Sequence, residues 1–422
     1  MDGGGSLPEL TSLAALPSLW REVARYPRLW ACLGVGFLVD WAFALVFLVA
    51  LQVQAPSHLS GGQALAGYAL AAYGLAKLSA QACGGPLLEG LVPRWGLRLG
   101  LATVLGGIAA LAAAAEGTGV LLGAAVYGVG AGLVWPSLYA LASASFPYGE
   151  RGRLNSGMAL ASVTAMAAGV GVGLLLPESL PLAAVVAPAA ALVALAAFLS
   201  PTLGTGPAPG AGPARVLVST MVGAALRPSG AAVTVLLLLQ TTAVGALASV
   251  FRAWGKELLG TSFPVQALLL VPAAAGGGLG LVWGGPAADR LGRLPVMALG
   301  TSLVGLVVLG TSFLRSLPAV GLVAALGGLG LGLATPTFGA VAMDLARWWR
   351  SDALLAWFLA VEGAGHTVGP ALGGLLESLS GPAPVLRFAA SLFLACAGIA
   401  LLAWGRGWQP LRPVLAGGGS EG

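Results

Sequence analysis

Gly128-Val129-Gly130-Ala131-Gly132-Leu133-Val134-Trp135-Pro136 returns at an offset of 200 residues as Gly328-Leu329-Gly330-Leu331-Gly332-Leu333-Ala334-Thr335-Pro336. Glycine matches come cheaply in a chain holding 66 glycines, but the matched prolines do not. The same offset carries Gly85-Pro86 onto Gly285-Pro286, Glu89 onto Asp289, and Gly169 and Gly173 onto Gly369 and Gly373. Self-similarity over so long a period marks two related halves.

Outward from this repeat, the composition decides the solvent. Hydrophobic residues make up 58% of the chain, charged residues 8%, and the mean hydropathy is +0.92. A soluble domain needs roughly a quarter of its residues charged to cover its surface. Glycine and alanine enrichment is a packing device, because lipid supplies no hydrophobic drive between helices and close approach must do so. Cys32, Cys83 and Cys396 lie in apolar stretches with no paired spacing, so neither a disulfide framework nor a metal site is expected.

A span needs about 20 apolar residues to cross the hydrocarbon. Segments near 31–52, 62–84, 98–115, 119–144, 154–176 and 182–200 meet that need in the first half. Segments near 230–250, 263–283, 295–314, 318–341, 353–376 and 385–404 meet it in the second. The expected fold is an all-α membrane protein of twelve transmembrane helices, two six-helix bundles forming parallel pseudo-repeats. Residues 1–200 form the N-terminal six-helix bundle, 201–229 a central cytoplasmic linker rich in Gly and Pro, and 230–422 the C-terminal bundle. Segments before Trp30, broken by Arg21, Glu22, Arg25 and Arg28, read as an amphipathic lead-in at the membrane surface rather than a signal peptide.

With the N-terminus inside, 15 of the 20 lysine and arginine residues fall in cytoplasmic loops. Both termini are therefore expected in the cytoplasm of a cell whose inner (plasma) membrane holds the protein. The net charge of +5 sits where anionic lipid headgroups attract it, and calls for no nucleic-acid partner.

At this point the chain resembles the major facilitator superfamily, over its whole length from the first span to the twelfth. The family's signature loop is matched by Gly285-Pro286-Ala287-Ala288-Asp289-Arg290-Leu291-Gly292-Arg293. The resemblance implies that Asp289, Arg290 and Arg293 bridge neighbouring helix ends as a cytoplasmic gate, with Gly285 and Gly292 allowing close approach and the turn. The first-half copy keeps Gly85, Glu89 and Arg94 but inserts Gly90-Leu91-Val92-Pro93, so the second-half loop is expected to be the tighter gate element. Gly365-x-x-x-Gly369-Pro370-x-x-Gly373-Gly374 in the eleventh span is similar to a pattern of proton-driven antiporters. There it characterises the fifth span, where this chain has Gly169, Gly171 and Gly173 without the proline.

Ionisable residues at membrane depth are costly and face a cavity or a partner. Asp40 lies mid-span in the first helix, and its repeat position carries Gln240, so each half places a polar group at the same depth. Because an apolar setting disfavours a charged carboxylate, Asp40 suits a proton carrier or a counter-ion to a cationic substrate; a structural hydrogen bond is the plainer reading. Glu362 and His366 are four apart on one helical face, a pairing able to relay a proton, although Glu362 can also anchor its helix to the loops. Lys77 either snorkels to the interface or pairs with Asp40 or an anion. Arg387 reads mainly as an interface anchor. Trp41, Tyr127, Trp135 and Lys77 are expected cavity walls, while Pro136 and Pro336 are expected to kink their helices.

No phosphate loop, zinc-protease motif or nucleophile–base spacing appears, so neither an enzyme nor a cofactor is expected. The expectation is a secondary transporter working by alternating access as a monomer, with protons and a small molecule as partners. Proton-coupled export of an amphipathic or cationic compound leads. Proton-linked uptake or symport of a small organic anion, sugar or metabolite, with Lys77, Arg387 and His366 as ligands, is the alternative. A non-transporting receptor on the same fold stands third.

Overall fold

The computed structural model describes residues 27–53, 64–88, 93–144, 151–173, 175–177, 179–203, 228–262, 265–266, 268–348 and 352–406. Everything long in it is helix. The first half contributes α1 (Pro27–Phe43), α2 (Ala64–Leu88), α3 (Pro93–Ala112), α4 (Gly117–Ala144), α5 (Arg151–Gly173) and α6 (Leu182–Leu199). The second contributes α7 (Pro228–Leu259), α8 (Leu270–Leu291), α9 (Arg293–Thr311), α10 (Leu317–Trp348), α11 (Asp352–Ser380) and α12 (Pro382–Gly405). Among the described residues eight helices are long and apolar enough to cross a membrane, and 157–173 and 270–284 are shorter apolar stretches. The remaining two, α2 and α11, carry Lys77 and the Glu362–His366 pair.

The repeat seen in the sequence is realised contact by contact. A Cβ on Gly130 would stand 2.7 Å from the Gly100 carbonyl oxygen, and one on Gly330 would stand 2.7 Å from that of Gly300. Gly128 presses on the Tyr73 carbonyl as Gly328 does on that of Ala273, and Gly173 meets Val49 as Gly373 meets Ser249. Every partner moves by the same 200 positions. The glycines exist for close backbone approach, which any side chain would block.

Apolar packing follows the same division. One core runs from Leu29 to Leu203 within the first half, and two smaller ones lie between Val233 and Ala400 in the second. The halves meet where α2 packs along α11: a Cβ on Gly67 would come 2.9 Å from the Pro370 carbonyl oxygen, and one on Gly74 2.6 Å from that of His366. The equivalent crossing of α8 with α5 is much less extensive. There the sequence places Ala274 where α2 has Gly74, with Met166 and Val170 in place of His366 and Pro370. Each of these three positions therefore differs from its counterpart in the α2–α11 crossing.

At the bundle end away from Pro27 and Arg406, Gln52 and Arg252, repeat-equivalent positions, meet each other. The Arg252 guanidinium donates to the Gln52 carbonyl at 2.8 Å, and the Gln52 amide donates to the Ala248 carbonyl at 3.1 Å. This end is therefore tied across the two halves. Arg252→Ala should release it: losing a charged hydrogen bond costs about 1.5–3 kcal/mol, so thiol labelling of Ala248→Cys should rise about tenfold in that background.

Several expectations need correction. The signature loop is mostly helix: α8 continues through Leu291, only Gly292 at φ +94° turns the chain, and α9 starts at Arg293. A glycine takes that φ without strain, so a single residue suffices. In the first half, Gly85-Pro86 lies in the last turns of α2 rather than in a loop. The α7 helix runs to Leu259, past the expected end at 250, because hydropathy reads the apolar part of a helix and not its polar extension through Arg252 and Lys256. Pro136 and Pro336 lie inside α4 and α10, the setting in which a proline bends a helix. The lead-in before Trp30 lies almost wholly outside the described residues, as does most of the linker, whose first residues, Pro201–Leu203, close a 3-10 turn with Ser200.

After Phe43 the first helix widens into a π-helical stretch, Ala44–Ala50, then closes again at Leu51–Val53. Such wide turns inside α-helices recur at functional sites. Here the stretch begins one turn beyond Asp40, and Ala44 and Val49 seat against Gly169 and Gly173 of α5.

Candidate functional site

Three helices bring charge to one place between the halves. On α2, Tyr73 and Lys77 stand one turn apart; on α11, Glu362 and His366 do the same. The Lys77 ammonium lies 3.8 Å from a Glu362 carboxylate oxygen, with the two side chains 12% and 38% exposed. This is an ion pair from one half to the other. It is longer than a direct charged hydrogen bond, which spans about 2.7–2.9 Å.

Asp40 approaches from α1 and is buried, 6% exposed. The Ser162 side chain of α5 lies within hydrogen-bonding reach, and Lys77 and Glu362 act on it electrostatically. Its Oδ2 atom has no hydrogen-bond partner among the described residues. A buried carboxyl oxygen without a partner marks a place that a proton or a cationic group can fill.

His366 Nδ1 lies 2.9 Å from the Glu362 carbonyl oxygen of its own helix. A carbonyl only accepts, so Nδ1 carries the hydrogen and Nε2 is the acceptor of the neutral ring. Tyr73 and Tyr139 share the field of Asp40 and Glu362. Two carboxyl groups thus share one lysine here, a balance that a proton or a cation can complete.

Other expected site residues fall around this cluster in different ways. Gln240 is buried on α7, and the neighbouring Thr241 abuts Gly365 of α11. Trp41 packs edge-on to Phe37 at 5.6 Å, with its indole nitrogen buried and without a hydrogen-bond partner among the described residues. Trp135 lies over Gly36 and beside Tyr139. Tyr127, expected as a cavity wall, is wholly enclosed: its ring packs with Phe43, Phe47 and Tyr73, and its hydroxyl donates to the Val39 carbonyl at 3.5 Å. Its size and shape serve the core of the first half.

The cytoplasmic gate is only partly in view. Glu89, the surroundings of Gly285 and the side chains of Asp289 and Arg290 lie outside the described residues, while Gly292 makes the turn and Arg293 opens α9. Arg94 stacks over Trp95 at 5.7 Å, and Arg98 covers the same ring at 5.1 Å. Arg387 lies over the Phe313 ring at 5.2 Å.

Ser162, Tyr73 and Tyr139 escaped the sequence reading. A signal existed for two of them: Ser162 is the repeat counterpart of Glu362, and Tyr73 stands one turn before Lys77.

The twelve long helices among the described residues, the 200-residue repeat and the charged centre between the halves can be compared with solved structures. The chain superposes on the nucleoside transporter NupG with a TM-score of 0.68 at 13% identity, covering 89% of this chain and 97% of that one. It superposes on the human organic anion transporter MFSD10 (TETRAN) with a TM-score of 0.68 at 16% identity, covering 88% and 99%. This is the major facilitator fold. At such identities the likeness establishes the fold and nothing finer. No protein-family model and no curated protein matches the sequence. Within the major facilitator fold, the Lys77–Glu362 pair joins α2 of the first half to α11 of the second, and both residues act electrostatically on Asp40 of α1.

Proposed function

We propose that the protein is a secondary active transporter that exports amphipathic or cationic small molecules in exchange for protons. It works by alternating access in the inner membrane, as a monomer with both termini cytoplasmic, the halves 1–200 and 230–422 rocking about the central cluster and 201–229 linking them. One observation carries this reading: Asp40 is buried with an unpartnered carboxyl oxygen beside a lysine–glutamate pair that joins the halves. The excess of acid over base favours a cation, and the apolar, aromatic surroundings favour an apolar body attached to it. In this reading the end tied by Gln52 and Arg252 is the outer one.

The test is a thermal-shift screen on the purified protein across lipophilic cations, sugars, nucleosides and organic anions, at acidic and mildly alkaline pH. A ligand of the folded state raises apparent stability by mass action, by about 2.7 kcal/mol at a hundredfold excess over Kd. Stabilisation by lipophilic cations that weakens at low pH supports proton-for-cation exchange.

Proton-linked uptake of an organic anion or other metabolite is the second reading. It draws on the Lys77 ammonium, and the solved structures of similar fold include transporters of nucleosides and organic anions. Stabilisation by anions, stronger at low pH and lost in Lys77→Ala, would replace the first reading with this one.

A further inference from the structure

We propose that Lys77 is an exchangeable counter-ion: it holds Glu362 in the empty protein and moves to Asp40 when a substrate's single ammonium-like charge takes its place on Glu362. This rests on the cation-export reading above and assigns separate roles to its two carboxylates.

The two acids differ in access. Glu362 keeps 38% of its side chain exposed and can receive an organic ion, while Asp40, 6% exposed, is enclosed. Lys77 reaches into both fields, as Asp40 and Glu362 both act on it. Its separation of 3.8 Å from Glu362 is that of a loose pair, open to displacement. Among the described residues, the other groups that share these fields are Tyr73 on its own helix, His366 on α11, and Tyr127 and Tyr139 on α4, with Ser162 beside Asp40.

Charge counting then couples the ligands. Two carboxylates share one lysine, so one of them always lacks a fixed counter-ion. In the empty protein a proton on Asp40 makes up the deficit, and Lys77 neutralises Glu362. When the substrate cation binds Glu362, Lys77 turns to Asp40, and the Asp40 proton leaves to the water on the open side. One positive charge enters and one departs, so proton and substrate exclude each other without touching the same carboxylate.

The exchange also changes what is tied to what. Lys77 with Glu362 spans the two halves, whereas Lys77 with Asp40 lies wholly within the first. Substrate binding thus removes a cross-link between the bodies that must rock.

The experiment uses the full chain in lipid nanodiscs with tetraphenylphosphonium as the probe, measuring binding by calorimetry and released protons by a dye in weak buffer. The wild type should bind and release about one proton per cation, the ratio that linkage between the two ligands sets. Lys77→Met removes the competitor and the partner that stabilises ionised Asp40, so it should bind about tenfold tighter and release no proton. Lys77→Arg should restore proton release, and Glu362→Gln should abolish binding. Binding to Lys77→Met that is unchanged or weaker, or that still releases a proton, overturns the exchange and leaves the export reading standing. If the wild type binds no lipophilic cation while Lys77→Arg melts normally, the export reading itself falls, and this inference with it.

Discussion

Asp40→Asn should reduce proton-driven flux in membrane vesicles by about a hundredfold and flatten its dependence on pH. The amide keeps the shape of the carboxyl and its contact with Ser162, but it can neither bind nor release a proton. A positioned side chain that takes up and gives back a proton is worth about a hundredfold or more in rate. The same change should leave the melting temperature unchanged or higher, because a buried carboxyl with an unpartnered oxygen gains nothing for stability. Lost stability together with lost flux would show Asp40 to be a structural hydrogen-bonding group. Retained pH-dependent flux would remove it from the coupling mechanism.

Gly74→Val should be the most disruptive single substitution at the boundary between the halves. A Cβ there stands 2.6 Å from the His366 carbonyl oxygen and 2.8 Å from the Thr367 amide nitrogen, both backbone atoms that a rotamer change cannot move. The two helices must separate, at a cost of about 3 kcal/mol, the upper part of the range for overpacking. The separation also draws Glu362 away from Lys77. Thermal unfolding should therefore fall by several degrees, and transport should be lost. Ala274→Val at the repeat-equivalent position is the control: α8 meets α5 far less closely, and the expected cost is below about 1 kcal/mol. Equal damage from both substitutions would mean that the two crossings are packed alike.

This asymmetry has a plain origin. A parallel repeat makes the two crossings equivalent in topology, but the chemistry at equivalent positions has diverged. Gly74 and Ala274 differ by one methyl group, Lys77 faces Gly277 across the repeat, and Glu362 faces Ser162. The α2–α11 crossing has become both the tight contact and the charged one. The π-helical Ala44–Ala50 stretch has no counterpart in α7, which is α-helical from Pro228 to Leu259.

Membrane residence, the division into related halves and the candidate acids were legible in the amino-acid sequence, because each depends on composition or on spacing along the chain. Apolar runs must lie in lipid, a period of 200 residues must reappear in space, and Asp40, Glu362 and His366 stand out against an apolar background whatever their partners. The partners were not legible. Lys77 had three readings open to it, and only the seating of α2 on α11 selects Glu362; Tyr127 looked like a cavity wall until its ring was found enclosed by Phe43, Phe47 and Tyr73. The signature loop read as a loop although its backbone is helical almost to Gly292, since one glycine at positive φ can do the turning that several residues were expected to do. Local chemistry sets what a segment can be, whereas the choice among partners depends on which backbones approach closely enough to touch, and that is decided by glycine contacts between helices far apart in the chain.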